Sequence, residues 1–354
     1  MNLVKPVSSA VGSEDLGYPQ IMPVSATAGR PFWSVMVPVY NRTRYIEQAL
    51  RSVLAQDPGP DQMQIEVVDD RSTIDGIAQI VQALGQGRVS FYQQPRNVGL
   101  SANWNTCIRR ARGYWVHILH DDDFVLPGFY ARLQEAVEHD GSIGAAFSRY
   151  LWVDADGHWQ EISHLERPTP GVLSNWIEHI AVSQRIQSPA IVVRRSVYET
   201  LGGFHPGLFL ALDWDMWKKI AVRYPVWYEP QPLACYRSHS AQETLRLLRS
   251  GAAHADTRHA IEIARTYLPP SVEKMLTRRA REHCTVSAVY AARRALAVMD
   301  VSAAAAQLRE GLKFGISAKG VEALLRLLLW SVWSVVRLAG RGMVRFAGVF
   351  RRAH

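Results

Sequence analysis

Short apolar runs alternate with helical patterns through about the first 120 residues, and this alternation constrains the possible fold most strongly. Strands are predicted at 33–39, 65–68, 89–92 and 115–119, and helices at 43–56, 74–84 and 100–112. Strands separated by helices of about 10–15 residues are typical of βαβ units, whose strands lie parallel. The sequence therefore predicts an α/β protein with a mostly parallel central sheet.

Polar residues follow three of these predicted strands. Asn41 and Arg42 follow the first strand, residues 69–72 (DDRS) the second and residues 120–123 (HDDD) the fourth. Ligands of parallel sheets bind beyond the carboxyl ends of the strands. We therefore expect these three polar segments to line one crevice.

The pattern changes after about residue 144. Further strands are predicted at 145–153, 190–193 and 226–236, a helix at 213–222, and almost continuous helix beyond 241. We expect four segments along the chain. They are a poorly ordered lead-in at 1–30, the main α/β domain at 31–240, a helical extension at 241–320 and a basic tail at 321–354.

The composition, with 48% hydrophobic and 20% charged residues, is that of an ordinary globular protein. Its three cysteines, Cys107, Cys235 and Cys284, are widely spaced and form no CxxC pair. This pattern fits a reducing compartment and argues against a disulfide scaffold or a zinc knuckle. Residues 1–30 contain no apolar run long enough for a secretion signal. We therefore expect a cytoplasmic protein.

Three consecutive carboxylates, Asp121, Asp122 and Asp123, follow the fourth predicted strand. Adjacent carboxylates repel one another, and a bound cation removes that repulsion. Mg²⁺ and Mn²⁺ prefer oxygen ligands and commonly take one or two carboxylates together with substrate phosphates. The alternative is an acidic turn that caps the helix after Pro127, because Asp is favoured at helix starts.

Four segments together resemble the family 2 glycosyltransferases. They are 37–42 (VPVYNR), 67–73 (VVDDRST), 97–101 (NVGLS) and 119–123 (LHDDD). Their order and spacing match the GT-A nucleotide-sugar domain of that family, and the likeness covers about residues 32–240. The resemblance implies a GT-A domain at 31–240 that transfers a sugar from a nucleotide-sugar donor.

The resemblance also implies roles for individual residues. The first segment would form the floor of the nucleotide site, and Asp70 would accept a hydrogen bond from the base. Asp122 takes the metal position, while Asp121 or Asp123 would contact the ribose or the water shell of the metal. The family often has Asp where this chain has His120, so the register of the acidic motif is open by one residue. The expected nucleotide-sugar ligands are Pro38, Tyr40, Asn41, Arg42, Asp70 and Asp121, and the expected ligands of Mn²⁺ or Mg²⁺ are Asp122, Asp123 and His239.

Residues 212–217 (LDWDMW) resemble the Glu-Asp-x-Asp helix start of the family. This resemblance implies that Asp213 is the catalytic base, which removes a proton from the acceptor hydroxyl. Leu212 departs from the usual Glu. The alternative is that Asp213 and Asp215 only stabilise the start of a helix, as carboxylates commonly do.

Residues 236–239 (YRSH) resemble the Tyr-Arg-x-His segment that often closes the catalytic domain of the family. The resemblance implies that His239 reaches the metal or the diphosphate and that Arg237 opposes a phosphate. The alternative for His239 is an ordinary packing role. Likewise, Asp69 and Asp70 have the alternative of only ending a strand and capping the next helix.

The function implied is metal-assisted sugar transfer with inversion at the anomeric carbon. Two other classes were considered. A sugar-phosphate nucleotidyltransferase usually has a Gly-rich loop with Arg and Lys after the first strand, where this chain has 41–44 (NRTR). A non-catalytic nucleotide-sugar-binding protein is disfavoured by the joint presence of Asp70, Asp122 and Asp213. The family and the basic tail favour a cell-envelope polysaccharide or glycolipid acceptor.

Most of the net charge of +8 lies near the C-terminus, where residues 311–354 carry eight Lys and Arg against Glu322 alone. On a helical projection, the six arginines from Arg326 onward fall within an arc of about 120°. Leu325 and Leu328 lie on the opposite side. Such a tail favours an anionic membrane surface over nucleic acid. We therefore expect peripheral association with the inner face of the cell membrane, the alternative being a helix packed on the body of the protein.

Overall fold

The computed structural model describes residues 17–25, 29–239, 247 and 249–331. Within these residues, a ten-stranded mixed sheet is covered by helices, and further helices follow the last strand. This architecture confirms the predicted α/β class.

The strands follow the predicted positions closely in the first half of the chain. Their bounds are β1 Trp33–Val39, β2 Met63–Asp69, β3 Ser90–Gln93, β4 Trp115–Ile118, β5 Phe124–Val125, β6 Ala145–Val153, β7 Trp159–Ile162, β8 Gly171–Val172, β9 Ile191–Arg194 and β10 Val226–Arg237. The order across the sheet is β3-β2-β1-β4-β9-β6-β10-β5, with β7 beside β6 and β8 beside β10. The pairs among β3, β2, β1 and β4 are parallel, whereas β9 runs antiparallel to β4 and β6.

The first three helices are shorter than the sequence patterns predicted, whereas the helix predicted at 213–222 is one residue longer at each end. Their bounds are α1 Ile46–Leu54, α2 Ile77–Gly85, α3 Leu100–Arg110, α4 Phe129–His139, α5 Ile177–Ile180, α6 Arg195–Leu201, α7 Leu212–Arg223, α8 Ala252–Ala264, α9 Glu273–Ala297 and α10 Val301–Leu312. Residues 318–331 form a further helix. None of the helices in the described part of the chain has both the length and the apolar character needed to span a bilayer.

The sheet separates two apolar clusters. Val35 and Val37 of β1 pack with Leu50 of α1, whereas Met36 between them packs with Trp104 of α3. Successive strand residues point to opposite faces of a sheet, and both faces here are covered. This is why β1 and β2 are buried at every position, including Ser34 of β1 and Gln64, Glu66 and Asp69 of β2.

The helical extension shares one of these clusters. Ala260 and Ile261 of α8 and Ala280 and Cys284 of α9 belong to the same buried cluster as Trp217 of α7. The extension therefore packs directly against the sheet domain.

Part of the segment expected to be a lead-in also packs on this domain. Tyr18 and Ile21 are 3% and 1% exposed, and the Tyr18 hydroxyl donates to Asp215 Oδ2 at 2.6 Å. The sequence offered no periodic pattern around these residues that would have indicated the contact. Residues 1–16 lie outside the described part of the chain.

The last described helix is amphipathic in its packing. Ala323 and Leu327 are buried with residues of α9 and α10, while Leu325, Leu328 and Leu329 are more than half exposed. The predicted tail continues to residue 354, and its arginines beyond Arg326 lie outside the described residues.

Candidate active site

The loops that follow β1 and β2 are joined to each other. Asn41 N–H donates to Ser72 Oγ at 2.8 Å, and Asn41 Oδ1 accepts from Thr73 N–H at 2.7 Å. Asn41 has a φ of 52°, in the left-handed region that Asn tolerates better than most residues. The two polar segments therefore meet at one edge of the sheet, as their positions at strand ends predicted.

Asp69 and Asp70 are both buried, and both carboxylates have partners. Asp69 accepts from Ser72 and Gln93, while Asp70 accepts from the N–H groups of Val98 at 2.8 Å and Gly99 at 2.9 Å. Burial raises the pKa of Asp70, and these two N–H groups oppose that rise. The Asp70 carboxylate thus holds the loop before α3. A carboxylate oxygen accepts more than one hydrogen bond, so contact with a base is compatible with this role.

The acidic run lies buried between strands β4 and β5 and is paired with Arg42. The guanidinium lies 3.1 Å from Asp121 Oδ1 and 2.5 Å from Asp122 Oδ2. Burial raises the pKa of Asp121 to about 7 and that of Asp123 to about 6. Burial acts the same way on Asp122, but the hydrogen bond from His239 and the charge of Arg42 outweigh it and lower its pKa.

His239 lies at the acidic run, where the family resemblance had placed it. Its Nε2 lies 3.1 Å from Asp122 Oδ2, and its ring packs on Tyr45 with 5.0 Å between ring centroids. Both His239 and Asp122 are buried. The contact makes His239 a neighbour of the expected metal position.

Arg237 differs from the expectation that it opposes a phosphate. It is 1% exposed, and its guanidinium donates to Gln48 Oε1 and to the carbonyls of Asp122, Asp154 and Ala155. Its cation also lies over the Tyr45 ring at 4.5 Å. Arg237 therefore supports the acidic run from the interior.

Two polar atoms beside Asp122 suit a cation. Asp123 Oδ2 and His120 Nε2 are buried and have no hydrogen-bond partner among the described residues. His120, Asp122 and Asp123 each offer a ligand atom, and these atoms lie within 4.8 Å of one another. The residues present therefore fit a divalent ion. The place of His120 directly before the acidic run is the sequence signal for this role.

Asp213 lies in the first turn of α7 and is buried. Its Oδ2 accepts from Gln184 Nε2 at 2.8 Å and its Oδ1 from Trp214 N–H at 2.6 Å. Burial raises its pKa to about 7, while Trp214 N–H and the charge of His120 oppose the rise. Gln184 was missed because nothing in the sequence around it indicates a polar contact.

The other residues of the α7 start are structural. Asp215 is fully buried and accepts from the hydroxyls of Tyr18 and Tyr267. Trp214 and Trp217 are 3% and 4% exposed, and the Trp214 ring nitrogen donates to the Ile180 carbonyl. Both indoles are therefore core residues.

These elements define an α/β domain with a buried acidic cluster after the parallel strand β4 and a further buried carboxylate of raised pKa, Asp213. The model of the family described as Glycosyl transferase family 2 matches residues 34–202. The chain belongs to glycosyltransferase family 2.

Two relatives illustrate the range of the family. An uncharacterised protein of Mycobacterium tuberculosis is 32% identical over 236 residues, which are 64% of this chain and 73% of that protein. Chondroitin synthase of Escherichia coli is 25% identical over 206 residues, which are 56% of this chain but 28% of that protein. This chain therefore spans only a part of the longer relative.

Solved structures agree with the fold. TarS of S. aureus, in complex with UDP-GlcNAc, matches with a TM-score of 0.58 and 17% identity over 80% of each chain. The mannosyltransferase PcManGT of Pyrobaculum calidifontis, in complex with GDP-Man and Mn²⁺, matches with a TM-score of 0.54 and 20% identity, over 92% of this chain and 88% of that one. These likenesses confirm the predicted GT-A fold.

Proposed function

We propose that this protein transfers a sugar from a nucleotide-diphosphate sugar to an acceptor hydroxyl, with inversion at the anomeric carbon and with the help of Mn²⁺ or Mg²⁺. The observation that carries the proposal is the Asp213 carboxylate, which is buried, held by Gln184 and has a pKa of about 7. Family membership supplies the class of reaction.

Asp213 is suited to act as the general base. A base is most effective when its pKa lies near the operating pH. The hydrogen bonds from Gln184 and Trp214 fix the orientation of the carboxylate. As the acceptor oxygen attacks the anomeric carbon, Asp213 takes the proton, and the bond to the diphosphate breaks with its electron pair on the leaving oxygen. A single direct attack inverts the anomeric centre.

Asp122, Asp123 and His239 would hold the metal ion, with His120 as a further candidate. Carboxylate oxygens with imidazole nitrogen suit Mn²⁺ at least as well as Mg²⁺. When bound, the ion neutralises charge that develops on the departing diphosphate. The Mn²⁺ bound to the Pyrobaculum mannosyltransferase supports the use of such an ion, but not a choice among these residues.

The donor nucleotide would lie along the edge formed by the loops after β1 and β2. Tyr40 is 45% exposed there and is available for contact with the base. Arg42 carries the positive charge of the crevice and would turn toward the diphosphate. Asp70 would bind the base and Asp121 the ribose, with Pro38 and Asn41 shaping the floor.

The acceptor proposed is a growing cell-envelope polysaccharide or a glycolipid. The relationship to chondroitin synthase supports a polysaccharide product, and UDP-GlcNAc and GDP-Man in the structural neighbours support a nucleoside-diphosphate donor. The segments proposed are a catalytic domain at 31–240, a helical extension at 241–320 and a membrane-binding tail at 321–354.

The test is a panel of UDP-, GDP- and other nucleotide-linked sugars, screened by thermal shift with Mn²⁺ or with EDTA. We expect one donor to raise the Tm only with the metal, and an envelope extract to accelerate release of the nucleoside diphosphate. Release of pyrophosphate from a nucleoside triphosphate would indicate a nucleotidyltransferase instead. Donor binding without turnover in any extract would indicate a non-catalytic protein.

The tail is expected to bind anionic membranes. Each arginine near such a surface contributes about 1 kcal/mol, and five of the six arginines lie beyond residue 331. Sedimentation with anionic and neutral liposomes should show at least about tenfold stronger binding of the full chain to the anionic ones, reduced at high salt. A chain ending at residue 331 should lose this binding. Equal binding by the two chains, or binding that does not depend on lipid charge, would contradict the membrane role. It would favour the alternative of a helix packed on the body of the protein.

A further inference from the structure

Helix α8 of the extension contacts the chain at the start of α7, the helix that carries Asp213. The Asp256 carboxylate on α8 accepts from the N–H groups of Phe209 at 3.3 Å, Leu210 at 2.8 Å and Ala211 at 2.7 Å. These are the last three residues before α7 begins. Asp256 is 3% exposed, so these bonds lie in the interior, where they are protected from competition by water.

These bonds hold the three residues that lead into α7 and place a negative charge next to its start. Its N-cap residue, Ala211, makes no side-chain cap hydrogen bond. The first N–H groups of a helix have no partner within the helix, and a negative charge beside them is stabilising. Leu212 stands where the family usually has Glu, so α7 has no acid of its own at that position. The acid that accepts hydrogen bonds from the backbone here is Asp256 of α8.

Two further contacts hold α7 to the same segment. Lys218 Nζ donates to the Ala260 carbonyl on α8 at 3.1 Å, and the Tyr267 hydroxyl donates to Asp215 Oδ1 at 2.7 Å. Lys218 and Asp215 are both buried. Because the helix is held at its start and again within its first two turns, it has little freedom to shift along its axis.

We propose that Asp256 is a positioning residue for sugar transfer, which fixes the backbone before α7 and thereby the place of Asp213 two residues further on. The inference rests on the proposed role of Asp213 as the base. A displacement of a catalytic group by about 1 Å lowers a rate about 10²-fold. The helical extension is then part of the catalytic unit, although the family model ends at residue 202.

The charge of Asp256 gives this role a measurable signature. Burial raises the pKa of Asp213 to about 7, and the charge of Asp256 adds to the rise while His120 opposes it. The titratable groups that face Asp213 are His120, Tyr150, Lys218 and Asp256. Loss of the negative charge at position 256 therefore lowers the pKa of Asp213. In a plot of kcat against pH, the rise on the acid side (the acid limb) then moves to lower pH. Because this effect depends only on the charge and its proximity, the loss of kcat compared at equal loss of Tm separates positioning from stabilisation of the fold.

The experiment compares Asp256→Asn and Asp256→Ala with Asp300→Asn in the full chain. Asp300 is a matched control, because it is also a carboxylate of the extension and caps α10 through the N–H of Ala303. We expect kcat to fall about 10-fold for Asp256→Asn and about 10²-fold for Asp256→Ala, with the donor KM changed by less than about twofold. The acid limb should move to lower pH in both. Asp300→Asn should lower the Tm but keep the kcat and the acid limb of the parent.

Parental kcat and acid limb in both Asp256 variants would overturn the positioning role. The positioning role would also be overturned if Asp300→Asn lost as much kcat as the Asp256 variants at the same loss of Tm. A separate variant, Asp213→Asn, tests the proposed function. If Asp213→Asn keeps the parental kcat, the base assignment fails whatever the Asp256 variants do. If Asp213→Asn is inactive while both Asp256 variants match the parent, only the positioning role fails.

Discussion

An Asp213→Asn variant is expected to lose about 10²–10⁴-fold in kcat, which is the range that a positioned general base contributes. The amide has nearly the shape of the carboxylate but does not take up the acceptor proton. Donor affinity should change by less than about twofold, because the base acts on the acceptor. In the parent, kcat should rise with pH through about 7, since only the ionised carboxylate accepts a proton. Release of the nucleoside diphosphate and donor calorimetry measure the two quantities.

The thermal stability of the same variant separates a base from a helix cap. The pKa of Asp213 is raised to about 7 by burial, so its ionised form destabilises the folded state increasingly as the pH rises through about 7. Asn carries no charge, and at pH 8 the variant should be at least as stable as the parent. Asp215→Asn is the matched control on the same helix. It weakens the hydrogen bonds from Tyr18 and Tyr267 and should lower the Tm. If Asp213→Asn lost stability and donor affinity together, the cap interpretation would be favoured.

The parts of the site that the sequence predicted are those fixed by strand ends. The joining of Asn41 to the loop after Asp69, and the approach of Arg42 to Asp122, follow from parallel strands that end at one edge. Chain direction and the period of the apolar pattern determine that edge. The place of His239 was implied only by the family resemblance, and its basis lies in the fold, because β10 ends two residues before it and pairs with β5 next to the acidic run.

The parts that were missed depend on packing between distant elements. Gln184 meets Asp213 from a loop 29 residues earlier, and Asp256 meets Ala211 from a helix 45 residues later. Neither contact has a local pattern, because each arises only when α7 is placed between the sheet and the extension. Arg237 belongs to the same class. Its residue type suits a phosphate, but its burial against Tyr45 and Gln48 is decided by the fold.

An Asp122→Asn variant is expected to lose most Mn²⁺-dependent donor binding and at least about 100-fold in activity. Even a partner that only supports a metal ligand contributes about 10–100-fold to metal affinity, so loss of a ligand should be at least as severe. Asp122 is the member of the acidic run whose pKa is lowered, and so it is ionised when a cation arrives. Mn²⁺ binding, followed by electron paramagnetic resonance with and without nucleotide, measures the loss apart from turnover.

Two controls make this result specific to one carboxylate. Asp154, Asp156 and His158 form another group, among the described residues, whose ligand atoms lie close together, but it is far more exposed. Asp154→Asn should therefore leave Mn²⁺-dependent donor binding unchanged. Asp121→Asn and Asp123→Asn test the register of the motif, because Arg42 pairs with Asp121 while Asp123 Oδ2 lies 3.5 Å from His120 Nδ1. If Asp123→Asn abolished Mn²⁺ binding and Asp122→Asn spared it, the metal ligand would be Asp123, and Asp122 would serve only to hold Arg42 and His239.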